Sequence, residues 1–273
     1  MAIITISREI AALGDETAHE LAKLLEYRFV DKSALEQRLA AYGFNERALE
    51  KFDERKPSFW ASLSQDRDDY LHFLKTAMYA EAAEGDCVFI GRGAMAVFKD
   101  VPGTVSVRLV AAPSIRVERV KSYFRCEDRR ARQIIEQSDH DRAGFHRYFF
   151  DSDWTAPANY HLTINTGCMH PALAAAIIKD LKDRMVTKDA EILCRARLYD
   201  LKLAQVVVNR ILYERKIPIH FLEARVEEAG VVLLGVANSQ AAVESAVAIA
   251  GETADVRSIR SEIQVVQEYS VMP

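Results

Sequence analysis

Cysteine is scarce. Cys87, Cys126, Cys168 and Cys194 are the four in 273 residues, and no two form a CxxC pair. That excludes a zinc knuckle or a disulfide framework as the organising device, and most of these thiols are expected to be buried. The seven histidines show no HExxH or other paired ligand spacing, so His140 and His146 read as a solvated helix pair rather than a metal site. No apolar run approaches the ~20 residues that cross a bilayer, and the first residues lack the basic region and apolar core of a leader. The expectation is a cytoplasmic chain, not a transmembrane one. An excess of one charge is missing as well: 36 basic against 40 acidic residues leave a net charge of −4, no electrostatic footprint for nucleic acid.

What is present describes an ordinary globular protein, 49% hydrophobic and 28% charged, long enough for two domains. Ala2–Ile6 is a β-branched apolar run suited to a buried parallel strand, and Ala18–Leu25 has apolar residues at helical spacing. Residues 31–84 read as helical with a break at Lys56, Pro57 and Ser58. Asp86–Ile90, Val105–Ala111 and Tyr160–Asn165 read as further strands. Residues 114–150 form a basic helical stretch, and Pro171–Met185 a closing helix. Strands alternating with helices imply an open parallel sheet covered on both faces, with ligands beyond the carboxyl ends of its strands, where Ser7, Gly91, Ala112 and Asn165 converge.

After Thr187, Lys188 and Asp189 the pattern changes. Leu201, Ala204, Val208, Ile211 and Leu212 make one helical stripe. Leu222, Ala224 and Val226 alternate, as do Val232, Leu234 and Val236 around a turn at Gly230. Ala242, Ala246, Ile249 and Ala250 form another helical face, and Ile259–Val265 a last alternating strand. The expected domains are therefore 1–189, an α/β unit, and 190–273, a smaller α+β unit.

The connection after the first strand has the outline of a phosphate-binding turn without its usual residues. A loop of the GxxxxGKS/T type needs glycines for close backbone approach, a lysine for the β and γ oxygens and a hydroxyl for magnesium. Here about ten residues, Ser7 to Thr17, contain one glycine, Gly14, and no lysine. Gly14 falls near the lysine position and Glu16 near the hydroxyl position. Asp15 and Glu16 complement a helix dipole themselves and repel a triphosphate. Arg8 is the candidate substitute cation, and Thr17 with Glu20 fits a capping box.

The segments ITISRE, FVDK at 29–32, FDERKPSFW at 52–60, VFIGRGA at 88–94, Asp141–Ala143 with Tyr148 and Phe149, and YHLTIN at 160–165 resemble the cytidylate kinase-like proteins, a branch of the nucleoside monophosphate kinases. The resemblance implies a P-loop kinase-like parallel sheet flanked by helices, transfer of the γ-phosphoryl group of ATP to a nucleoside monophosphate, and Mg2+ as cofactor. It makes Arg92 and Arg147 substrate-binding candidates. Arg142, Asp141 and Arg129 become catalytic candidates, with Arg125, Arg130 and Arg132 beside Arg129 in a lid, and Ser7, Arg8, Gly14 and Thr17 cofactor-binding candidates. No residue is a metal candidate. Guanidinium groups suit phosphoryl transfer because they neutralise charge on its oxygens.

Residues 196–267, with VEEAGVVLLGVANSQAAVESAVAIA and VRSIRSEIQVV, resemble a BON domain, a small module that implies a lipid or small-ligand partner. Two functions follow: a nucleotide kinase with an appended domain, or a catalytically inert nucleotide- or anion-sensing protein coupled to that domain. A homo-oligomer is compatible with both. Phe59, Trp60, Trp154 and Tyr148–Phe150 belong to an acceptor pocket or interface, or complete the core.

Overall fold

The computed structural model describes residues 1–41, 64–227, 230–253 and 255–266. The predicted break at 56–58, the 52–60 segment and Phe59 and Trp60 lie outside them. The chain divides into two compact units, Met1–Arg195 and Ala196–Pro273.

The first unit is built on five parallel strands, β1 (Ile3–Arg8), β2 (Arg28–Val30), β3 (Cys87–Ile90), β4 (Thr104–Val110) and β5 (Leu162–Asn165), in the order β2-β3-β1-β4-β5. β1, β3 and β4 are β-branched and apolar because both faces are covered. The helices are α1 (Gly14–Leu25), α2 (Lys32–Ala41), α3 (Ser64–Ala83), the single turn α4 (Ala94–Val97), α5 (Pro113–Phe124), α6 (Asp128–Phe150) and α7 (Pro171–Met185); α8 (Lys188–Asn209) starts in this unit and belongs to the second from Ala196 on. Ile4, Ile6, Leu21, Val88, Val107, Leu109, Ala174 and Ile178 share one core across the sheet, α1 and α7.

Three expectations change in detail. The basic stretch 114–150 is two helices, because Arg125 turns left-handed (φ 49°) and ends α5. The three residues of β2 are an added edge strand, followed by Asp31, whose carboxylate accepts the Ala34 amide at 2.9 Å and starts α2. Thr17 does not cap α1: the helix begins at Gly14, and the Thr17 amide already donates to Leu13 O at 3.0 Å. The turn before it is thus Glu9–Leu13, shorter than the spacing implied.

The second unit has β6 (Ile219–Glu227) antiparallel to β7 (Gly230–Ala237), β8 (Ser258–Val265) parallel to β7, and α9 (Gln240–Gly251) with Ser239 accepting the Ala242 amide. Its core holds Val207, Val208, Ile211, Ile219, Leu222, Val231, Leu233, Ala237, Val243, Ala246, Ile249 and Ile263. On β7 the residues of this core are Val231, Leu233 and Ala237, the alternate set to Val232, Leu234 and Val236. No helix among the described residues is long and apolar enough to cross a membrane.

Two of the four cysteines, Cys87 and Cys194, are buried, and burial pushes both thiols up, Cys194 to about 11. Cys168 is exposed. A thiol reagent read by peptide mass spectrometry is therefore expected to label Cys168 rapidly in the native protein, and Cys87 and Cys194 only after denaturation. Rapid native labelling of Cys87 would contradict this packing.

Candidate functional site

The sheet order puts β1 between β3 and β4, so the crevice beyond their carboxyl ends receives the Glu9–Leu13 turn, the Gly91–Gly93 turn and the start of α1. The first turn is unusual in its backbone. Ala11 (φ 60°) and Leu13 (φ 53°, ψ 36°) are both left-handed although neither is glycine. Each costs about 1–2 kcal/mol relative to a glycine.

The carbonyls of this turn are fixed in sequence. Arg116 Nε donates to Ile10 O at 2.9 Å, Arg119 Nη1 to Ala11 O at 3.0 Å, and the Thr166 hydroxyl to Ala12 O at 2.9 Å. Ile10 and Ala11 also pack on the apolar cluster of Val117, Val120, Ala131 and Ile135 that joins α5 to α6. The turn is thereby held by its oxygens and by its side chains. The amides of Gly14, Asp15 and Glu16, in the first turn of α1, have no intrahelical acceptor. Alternating left- and right-handed residues at the head of a helix form an anion-binding nest.

Glu9 anchors the same turn. Its carboxylate meets Arg108 Nη2 at 3.1 Å, Arg116 Nη1 at 3.3 Å and the Ala111 amide at 3.3 Å. Arg108 also donates to Thr155 O at 2.7 Å and lies 4.7 Å from the centroid of the Trp154 ring. Arg116 pairs in a fork with Asp139 at 2.7 and 2.8 Å. Sequence reasoning missed Glu9, Arg108, Arg116 and Arg119. The available signal was Arg108 inside the strand VSVRLVA, since a charge in a buried strand requires a partner.

Arg8 crosses the start of α1. A Cβ on Gly14 would lie 2.2 Å from Arg8 Cγ, so glycine is what lets this side chain lie there, and Arg8 Nη2 stands 3.6 Å from Asp15 Oδ1. Ser7 is buried on β1, and the Tyr160 phenol, which donates to Trp154 O at 2.8 Å, has its pKa raised chiefly by burial. Thr17 is fully buried in α1 and its Oγ1 has no hydrogen-bond partner. Of the four cofactor candidates, Arg8 and Gly14 are at the turn, Ser7 beneath it, and Thr17 behind it.

Arg92 sits in the second turn, where Gly91, Arg92 and Gly93 have φ of 71°, 55° and 74°. Two glycines allow that run, and a Cβ on Gly93 would fall 2.1 Å from the Phe150 ring at the end of α6. Arg92 is 6% exposed, donates to Glu36 at 3.2 Å, and lines a small pocket with Lys32, Glu36, Leu39 and Tyr70. Tyr70 in turn packs on Phe149, 5.1 Å between centroids. Asp141 and Arg142 are buried in the middle of α6, accepting from Gln137 and donating to Ser138. Arg147 is exposed on the last turn of α6 and Arg129 on the first. Arg125 and Arg130 are exposed too, as is Arg132, paired with Asp128 at 2.8 Å. His146 is buried and stacks on Trp154, whereas His140 is exposed.

A magnesium ion held by a loop hydroxyl does not fit these residues. The Thr17 hydroxyl is enclosed, and Glu16, near the hydroxyl position, accepts from the Tyr123 hydroxyl at 3.3 Å.

No curated protein matches the chain. Among solved structures, an uncharacterized protein from Eubacterium ventriosum is similar over 67% of this chain and 99% of its own, with TM-score 0.52 and 19% identity. Shikimate kinase from Bacteroides thetaiotaomicron covers 67% of this chain and 98% of its own, with TM-score 0.40 and 18% identity. Residues 199–267 match the BON domain. Residues 3–168, more than half of the chain, match the cytidylate kinase-like family, and the chain belongs to that family.

Proposed function

We propose that the Met1–Arg195 unit is a kinase-like nucleotide-binding unit that holds the phosphates of its ligand between the Glu9–Leu13 turn, the first amides of α1 and Arg8. The observation that carries this reading is the left-handed backbone at Ala11 and Leu13 in a turn tied through its carbonyls. An ordinary strand-to-helix connection has no need of that strain, whereas an anion cradle does. Arg8 supplies the cation beside Gly14, and the bound phosphates displace Asp15 as its partner.

Transfer from ATP to a nucleoside monophosphate is the second reading, favoured by the burial of Arg92 and of Asp141 with Arg142. In it Arg92 binds the acceptor phosphate, Arg142 and Arg147 contact the transferring group, Asp141 orients them and Arg129 closes from the lid. Against it stand the loop lysine and the hydroxyl, each an electrostatic contribution of about 3 kcal/mol to a transition state. Their absence lowers turnover about 10⁴-fold from an ordinary kinase, and the holding role is therefore the first reading. Residues 196–267 add a site for a lipid or small ligand, through which nucleotide occupancy is reported.

Calorimetric titration with a panel of nucleotides is expected to show binding, weakened about tenfold by Arg8→Ala. Incubation with magnesium, ATP and a panel of nucleoside monophosphates distinguishes the readings. Diphosphate product abolished by Arg92→Ala supports transfer, and binding without product supports the holding role. A protein that neither binds nor turns over any nucleotide would refute both.

A further inference from the structure

α8 is apolar on two faces. Cys194, Leu198, Ala204 and Val208 are buried on one, and Val207, beside the other, is buried too. On the other, Ile192, Tyr199 and Val206 are 66%, 53% and 46% exposed, with exposed Ala196 and half-buried Leu203 between them. Single exposed apolar residues are normal on any surface. Ile192, Ala196, Tyr199, Leu203 and Val206, however, alternate steps of four and three, which is the spacing of a coiled-coil seam with Ala196 and Leu203 at a and the others at d. The Asp255 carboxylate near the Tyr199 hydroxyl raises its pKa.

The flanks of the row are charged in a way that selects a partner. Exposed Arg195 and Lys202 occupy the g positions, and half-buried Asp200 an e position. In a parallel pair of helices, g faces the e position five residues on in the other helix. Arg195 then meets Asp200 of the second copy, and twofold symmetry makes the contact twice. In an antiparallel pair g faces g and e faces e, which sets Arg195 and Lys202 against each other and Asp200 against its own copy. We propose that two copies of this chain associate through this face of α8, with the helices parallel and in register. The row is about 22 Å long at 1.5 Å per residue, too short for a tight coiled coil, so the dimer is expected to dissociate on dilution.

Sedimentation velocity of the full chain over a concentration series is expected to show a monomer–dimer equilibrium. Leu203→Glu should raise its Kd about 30-fold, the size of a lost interface anchor. Arg195→Asp or Asp200→Arg alone should weaken association about fivefold, and the two together should restore it. An unchanged circular dichroism spectrum confirms that each variant is folded. Ala196→Glu, at an exposed position, repeats the test should Leu203→Glu not fold. A chain that stays monomeric at every concentration, a dimer indifferent to both glutamate variants, or a double charge exchange that fails to restore association would overturn the proposal.

Discussion

Replacing Glu9 with leucine is expected to destabilise the Met1–Arg195 unit by about 3–5 kcal/mol, the usual cost of leaving a buried charge uncompensated. The carboxylate is the common partner of Arg108 and Arg116, which are 7% and 4% exposed, and it also accepts the Ala111 amide. Arg116 retains Asp139 after the change, while Arg108 keeps only Thr155 O and the Trp154 ring. The larger share of the loss therefore falls on Arg108. Urea denaturation followed by circular dichroism measures it, and Glu9→Leu combined with Arg108→Leu should recover part of it, since the orphaned charge is removed. A Glu9→Leu loss below about 1 kcal/mol would mean that the three groups are not coupled as described.

Gly93→Ala is expected to cost about 3 kcal/mol. About half arises from a left-handed residue acquiring a Cβ, and the rest from that Cβ meeting the Phe150 ring at 2.1 Å. The two parts are separable. Phe150→Leu shortens the opposing side chain, so the double variant should be more stable than the sum of the single losses predicts, while the backbone share persists. Additive losses in the same denaturation experiment would contradict the close approach. Because Gly93 follows Arg92, the substitution is also expected to displace the Arg92 guanidinium from Glu36.

These two sites mark what the sequence disclosed and what it hid. The parallel sheet was legible because Ile3–Ile6, Cys87–Ile90 and Val105–Leu109 are apolar runs broken by helical periods. β2 was not, since three residues give no periodicity and its identity rests on pairing with β3. Nor was the parity of β7, where GVVLLGVA is apolar at nearly every position and alternation has no contrast to report. At the site, the missing lysine and glycines were visible, and so was Arg8 as a cation near the turn. The left-handed backbone at Ala11 and Leu13 was not, because alanine and leucine carry no signal for it. It is imposed from outside, by Arg116, Arg119 and Thr166 on the carbonyls, and those contacts span 106 to 154 residues of chain. Thr17 misled for a related reason, since a serviceable cap at the sequence level is overridden once the turn is pulled tight and α1 starts at Gly14.

Amide chemical shifts of the isotope-labelled protein titrated with ATP test the central claim most directly. The account predicts that the largest changes fall on Leu13, Gly14, Asp15 and Glu16, with the Arg8 side-chain Nε–H moving along with them. Saturating ATP that leaves those amides unmoved, or that shifts only residues remote from the Glu9–Leu13 turn, would contradict it.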